Sequence, residues 1–186
     1  MTITPIAHTL DLMPTHAAAR AEGLHISDIY NALYKELEPE RFGGEGGPNT
    51  TKMAMGLAWE TYLEGRLDDA GLEASRPPEF KTSEGIAFNP DLLIFNGDER
   101  VCEIKLTWMA DTSLHDPRFG KWLTQAKAYC YHLGIPRARF YPLFVNGDYK
   151  QNRDPVLRPC DIDFTAQELK ENWAMLMNFA RHRKML

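Results

Sequence analysis

The chain has 186 residues, 44% of them apolar and 25% charged, with a formal net charge of −5 from 21 basic and 26 acidic side chains. That length fits one domain with a sizeable core and requires no second, so residues 1–186 are read as a single domain. No apolar run approaches the roughly 20 residues of a membrane span, no secretory leader is visible, and a cytoplasmic location with no membrane partner is expected. Cys102, Cys130 and Cys160 are far apart and form no C-x-x-C pair, which disfavours a structural zinc site or an iron–sulfur cluster and leaves buried thiols in a reducing compartment. The acidic balance argues against a module that simply coats nucleic acid. It weighs less against an enzyme, because clustered carboxylates that hold cations raise the acidic count.

Residues 1–24 read as a loose N-terminal arm. A short helix through Ile29, Tyr30, Leu33 and Leu37 is expected, capped by Ser27 and stopped by Pro39. The glycine-rich run from Arg41 to Pro48 lacks phosphate-loop spacing and reads as a connection, with contact to DNA as its functional alternative. A helix is predicted from Thr51 to Ala70, ended by Gly71, with Met55, Leu57, Trp59, Tyr62, Leu63 and Leu67 as its apolar surface. Three short strands follow, around Phe80 or Ile86–Phe88, at Leu92–Phe95 and at Arg100–Leu106, the last two joined by an Asn96-Gly97 hairpin turn. Phe119–Leu133 reads as a helix ending at Gly134. Arg139–Val145 and a stretch near Val156–Arg158 read as strands, and Thr165 caps a final helix to about Arg183. The pattern predicts an α/β sandwich, one mixed sheet with helices on its faces.

Asp91 opens one strand, and Glu103 and Lys105 lie two apart on its hairpin partner. Side chains alternate along a strand, so Glu103 and Lys105 share a face while Cys102, Ile104 and Leu106 point into a core on the other. Charges inside the apolar segment Val101–Leu106 are costly unless paired or bound to metal. Two carboxylates in one place suit a hard cation such as Mg²⁺, which polarises a phosphodiester and acidifies bound water. An ammonium beside them can orient that water and offset charge developing on phosphate oxygens. The chain also contains Glu79-x-Lys81, Asp148-x-Lys150 and Glu168-x-Lys170, but only Glu103-Ile-Lys105 follows the single Pro-Asp pair, Pro90-Asp91, through a hairpin.

The text Asn89-Pro90-Asp91-Leu-Leu-Ile-Phe with Val101-Cys102-Glu103-Ile104-Lys105 resembles the PD-(D/E)-x-K nuclease superfamily. Gln125-Ala-Lys-Ala-Tyr129 resembles the Q-x-x-x-Y motif of its RecB-nuclease-domain and phage lambda exonuclease-like branch. Gly56-Leu-Ala-Trp-Glu60 stands where that branch often places a Glu or His. The resemblance covers roughly residues 51–145, the expected catalytic core, and implies a restriction-endonuclease-like sandwich of core order αβββαβ with accessory helices. It further implies that Asp91, Glu103 and Glu60 ligate metal, with the Ile104 main-chain carbonyl as a further ligand. Lys105 would then position or activate the attacking water, Gln125 hold Lys105 or the scissile phosphate, and Tyr129 support the DNA or the site. Mg²⁺ is the implied cofactor, with Mn²⁺ able to substitute. The implied activity is metal-dependent hydrolysis of DNA, as a phage-type exonuclease on linear ends in recombination or repair. DNA is then the partner, with self-association and a recombination partner protein as further expectations, and the location is the host cytoplasm if the chain is phage-encoded. Leu24–Tyr30 sits where phage exonucleases carry a Ser/Arg 5′-phosphate pocket, but no Arg adjoins Ser27.

Blander readings stand beside these. Glu103 and Lys105 can be a surface ion pair, Gln125 and Tyr129 ordinary helix residues, and Glu60 and Glu64 solvated ones. His25, His115 and His132 read as structural or surface residues, and Trp59, Trp122 and Trp173 as core. Trp108 reads as packing, with base stacking the alternative. Arg181, Arg183 and Lys184 complement a helix dipole. Two other functional classes remain: a catalytically idle DNA- or protein-binding subunit on the same fold, and a site-specific endonuclease, for which no base-reading element is recognisable.

Overall fold

The computed structural model describes residues 22–43, 50–95, 97–108, 119–145 and 154–186. Helices α1 (Ile26–Leu37), α2 (Pro39–Phe42) and α3 (Thr50–Asp69) precede the short strands β1 (Ala74–Ser75), β2 (Phe80–Lys81), β3 (Ala87–Phe88) and β4 (Leu92–Ile94). Then come β5 (Arg100–Thr107), α4 (Gly120–Leu133), β6 (Arg137–Phe144), β7 (Val156–Leu157), β8 (Cys160–Asp163) and α5 (Ala166–His182). The main sheet is mixed and runs β1-β4-β5-β6-β7, with β8 also on β6; β2 and β3 form a separate antiparallel pair.

The expected hairpin pairs β4 with β5, Leu92 opposite Cys102 and Ile94 opposite Arg100. The β5–α4–β6 crossover makes β5 and β6 parallel from Val101/Ala138 to Thr107/Phe144. Pro142 explains why the far edge of β6 carries two short strands rather than one. β8 pairs with residues 137–140 of β6 and β7 with residues 143–144, and the break falls where proline has no N–H to give.

Alternation along β4 and β5 divides the core in two. Leu92, Ile94, Cys102 and Ile104 meet Leu63 and Leu67 of α3 on one face. Leu93 and Val101 join α1, α4 and α5 on the other, through Ile29, Leu33, Ala126, Tyr129, Trp173 and Leu176 among others. The α5 contribution, Leu169, Trp173, Leu176, Met177 and Ala180, is an apolar stripe at helical spacing. Thr165 caps α5 as expected, accepting from the Glu168 N–H while Glu168 accepts from the Thr165 N–H.

The first helix begins earlier than expected. Its cap is His25, not Ser27: Asp28 Oδ2 accepts the His25 N–H at 3.0 Å, and Ile26 is fully buried in the core. Pro39 ends that helix and also opens the single turn of α2, where its missing N–H costs nothing. Of the arm expected over residues 1–24, residues 1–21 lie outside the described residues, while the Leu24 carbonyl accepts the Ala87 N–H at 2.9 Å. Most of the glycine-rich run and the Asn96 turn position also lie outside them. In α3 only Leu63 and Leu67 are buried. Met53, Met55 and Tyr62 are exposed, because only the later turns of this helix lie over the sheet. Strands β1 and β8 carry no apolar run that would announce them. Among the described residues, no helix is long and apolar enough to cross a membrane.

Candidate active site

Continuing the β4–β5 register one step past Leu92 and Cys102 sets Asp91 across from Glu103. The pleat then aims Asp91, Glu103 and Lys105 toward the α1/α4 face. Asp91 Oδ2 accepts the main-chain N–H of Ile104 at 2.7 Å, which locks its carboxylate against β5. Lys105 Nζ donates to Glu103 Oε2 at 2.6 Å and lies 3.5 Å from Asp91 Oδ2. One ammonium therefore touches both carboxylates. Glu103 is wholly buried, whereas 18% of the Lys105 side chain remains open to solvent.

Glu60 arrives from α3, on the opposite face of the sheet. Arg76 holds it at 3.6 Å and holds Glu64 at 3.3 Å. Burial, then the charge of Asp91, push the Glu60 carboxyl up to about 7 against the pull of Lys105 and Arg76. Burial also drives Glu103 up, to about 8, with Asp91 and Glu60 adding repulsion and Lys105 opposing. For Lys105 burial works in the lowering direction, but Asp91 and Glu103 overcome it and the amine is held well above its usual range. The pocket thus carries more negative charge than its cations neutralise, and protons make up part of the difference.

On α4, Gln125 and Tyr129 share one face, and Gln125 Nε2 donates to the Tyr129 hydroxyl at 3.2 Å. Gln125 thus reaches Tyr129 in this arrangement. Tyr129 is buried and stacks on Phe88 at 5.5 Å, a position suited to supporting the site rather than to stacking on a base. Burial, then the charge of Glu103, raise its hydroxyl well above the usual range. Two contributors were not visible in the sequence. Tyr30 of α1 is buried on the same face, in the core that also holds Tyr129. Arg76 comes from the loop after β1. Neither belongs to a spaced motif; the packing of α1 and α3 brings them in.

A divalent cation fits the donors present. Glu103 Oε1 is buried with no hydrogen-bond partner, an acceptor that a cation would satisfy, and the raised Glu60 and Glu103 record uncompensated negative charge. Among the described residues, no three of His, Cys, Asp and Glu are gathered closely enough to hold an ion as the side chains stand. Asp91 and Glu103 meet at Lys105, while Glu60 stands apart with Arg76. The Ile104 side chain turns to the α3 face, so only its main chain borders the site. Mg²⁺ commonly takes one or two carboxylates and keeps several waters, which Asp91 and Glu103 can serve.

The other singled-out residues fall outside this cluster. His25 is buried 3.9 Å from Glu79, and His132 packs edge-on against Trp173 at 4.1 Å, so both are structural; His115 lies outside the described residues. Trp173 is core and Trp59 half-buried.

No known family profile matches the sequence, and no curated protein matches it. Solved structures do match its fold. The protein SSO0001 aligns with a TM-score of 0.57 and 16% identity, covering 91% of this chain and 79% of its own. The alkaline exonuclease LHK-Exo of Laribacter hongkongensis aligns at 0.54 and 13%, covering 86% and 87%; it has also been solved in complex with dAMP. A phage-related exonuclease of Haemophilus somnus 129PT aligns at 0.51 and 13%, covering 83% and 78%. With its mixed sheet and flanking helices, the chain shares the fold of these exonucleases, an α/β sandwich of the restriction-endonuclease-like kind.

Proposed function

We propose that the chain is a divalent-metal-dependent deoxyribonuclease that hydrolyses phosphodiester bonds at the ends of linear DNA. The observation that carries this reading is the buried Asp91–Lys105–Glu103 cluster, with its unsatisfied Glu103 Oε1, on a fold shared with exonucleases. Burying two carboxylates around one lysine gains a folded chain little, since apolar residues of similar volume usually serve as well. Such a cluster is expected where charge is used.

Asp91 and Glu103 would hold the cation, Glu60 bordering it directly or through water. When bound, Mg²⁺ would polarise the scissile phosphate and lower the pKa of a coordinated water. Lys105, within reach of both carboxylates, would position or activate the attacking water and offset charge on the phosphate oxygens. Gln125 and Tyr129 keep the wall opposite β5 in place.

A cleft of about 410 Å³ is lined by His25, Ser27, Arg76, Asn89 and Tyr129 among others, sharing Arg76 with the Glu60 pair and Tyr129 with the Gln125 pair. Arg76, which also pairs with Glu60 and Glu64, shares this cleft with Ser27 and would serve as the arginine missing beside Ser27 in the sequence. A hydroxyl, a guanidinium and an aromatic wall suit a terminal nucleotide and its phosphate, which supports end-dependent cleavage; the dAMP bound by LHK-Exo is consistent with such a pocket.

The test is degradation of end-labelled linear duplex against covalently closed circular duplex, with Mg²⁺ or Mn²⁺. Loss of the linear substrate alone supports the reading. Nicking of the circle points to an endonuclease, and intact substrates point to a binding subunit.

A further inference from the structure

At the N-terminal end of α4, two cations crowd one aromatic ring. Lys121 Nζ lies 4.8 Å from the centre of the Phe42 ring and 5.8 Å from that of Tyr30. The Arg41 guanidinium stands 5.0 Å from the same Phe42 ring. Glu38 lies 3.4 Å from Arg41, but among the described residues no carboxylate pairs with Lys121, and the first turn of α4 carries no acid. Burial and then the charge of Arg41 depress the Lys121 amine. The arrangement is also tightly placed. Tyr34 bonds Thr124 at 3.0 Å and packs edge-on against Phe42, and a side chain at Gly120 would start only 3.0 Å from the Tyr34 hydroxyl. A half-buried lysine that stands beside an arginine and has no carboxylate on it among the described residues is unfavourable for the protein alone and suits an anion.

Position says which anion. Lys121, Gln125 and Tyr129 recur every fourth residue and so line one face of α4. Lys121 stands one turn, about 6 Å along the axis, beyond Gln125, a step comparable to the spacing of neighbouring phosphates along a strand. The Tyr30 ring near Lys121 packs in the same core as Tyr129. Resting on the nuclease reading above, we propose that Lys121 and Arg41 bind a backbone phosphate of the substrate strand next to the scissile one, so that the strand runs along α4 from the metal cluster toward α2. The face that handles DNA is then locally basic on a chain that is acidic as a whole.

The test uses the full chain and a labelled linear duplex, binding being read by anisotropy with Ca²⁺ in place of Mg²⁺ between about 50 and 200 mM salt. Lys121→Gln and Arg41→Gln are each expected to weaken binding several-fold and to lower the slope of log affinity against log salt by about one. Lys121→Arg is expected to restore the slope, and Lys170→Gln on exposed α5 to leave it unchanged. Cleavage with Mg²⁺ at saturating DNA should persist in Lys121→Gln with a raised KM. If Lys121→Gln keeps the wild-type slope and merely melts earlier, Lys121 is a packing residue and the proposal is overturned; a wild-type chain that binds no duplex overturns it too. A wild-type chain that binds duplex with this dependence but never cleaves leaves the phosphate site standing and removes the nuclease reading instead.

Discussion

At the scale of single residues, the environment of Glu103 and Lys105 makes pH a direct probe of the proposed site. Glu103 is raised from 4.5 to about 8 and Glu60 from 4.5 to about 7 by folding. A carboxyl raised in the folded state contributes stability that is fully present below its unfolded value and lost as pH climbs through its folded value. Metal-free protein is therefore expected to lose stability between about pH 4.5 and pH 8, and Glu103→Gln to flatten that slope, as urea midpoints across the range would show. The same protons compete with cations, so Mn²⁺ affinity, read by calorimetry, should fall as pH drops through about 8 and 7. Lys105→Ala removes the only cation that, among the described residues, touches Glu103, so its cost should be small near about pH 6, where Glu103 can protonate, and grow to a few kcal/mol near about pH 9. The triad itself was legible, because a two-residue period and a hairpin turn suffice to put Asp91, Glu103 and Lys105 on one face. Arg76 and Tyr30 were not, since nothing local in the sequence ties them to it.

At the scale of elements, α4 is the part on which the proposed geometry depends. Gly134 ends it with φ of 68°, a conformation that side chains rarely adopt, so Gly134→Ala is expected to cost about 1 kcal/mol by denaturant titration. A polar chain ties its first turns to its neighbours: buried Asn172 of α5 donates to the Thr124 carbonyl at 3.1 Å, and Thr124 bonds Tyr34 of α1. Asn172→Ala should cost about 1–3 kcal/mol and lower cleavage through displacement of Gln125, without changing Mn²⁺ affinity at Asp91 and Glu103. Elements with strong periodicity or caps, such as α4 and α5 with its Thr165 box, could be read from the sequence. The short edge strands β1 and β8 could not, because their stability comes from partners rather than from their own residues. The apolar positions of α3 misled for a related reason: helical spacing shows which residues share a face, not whether that face lies over the sheet.

Across the whole molecule, the sheet sorts the chain into an α3 side and an α1/α4/α5 side, with the cluster facing α1 and α4 and Glu60 standing apart on α3, near enough for the charges of Asp91 and Lys105 to shift its carboxyl. The opposite end of the sheet is held by a lattice of ion pairs. Asp98 takes Arg100 and Arg137, and Asp161 takes Arg100 and accepts from Nε and Nη2 of Arg139 at 2.5 and 2.8 Å. These pairs join the β4–β5 hairpin to β6 and β8 without entering the site, and being largely exposed they add modestly to stability. Most of the order αβββαβ was legible because α3, β4, β5, α4 and β6 carry their own periodicity or turn chemistry, but its first strand was expected around Phe80 or Ile86–Phe88, which pair apart from the main sheet, while β1 at Ala74–Ser75 takes that edge. The exposure of α3 and the identity of the cleft's arginine were not, since both are products of packing.

The central claim is that Asp91, Glu103 and Lys105 carry metal-dependent hydrolysis. It is tested most directly by single-turnover cleavage of a linear duplex with Mg²⁺, with EDTA, and by Asp91→Asn and Lys105→Ala proteins shown to be folded. The account predicts cleavage by the wild-type chain, its abolition by EDTA, and losses of at least about 100-fold in both variants. Asp91→Asn should also bind Mn²⁺ more weakly, while Lys105→Ala still binds it. Cleavage that survives EDTA, or that proceeds at the wild-type rate in either variant, would contradict the account.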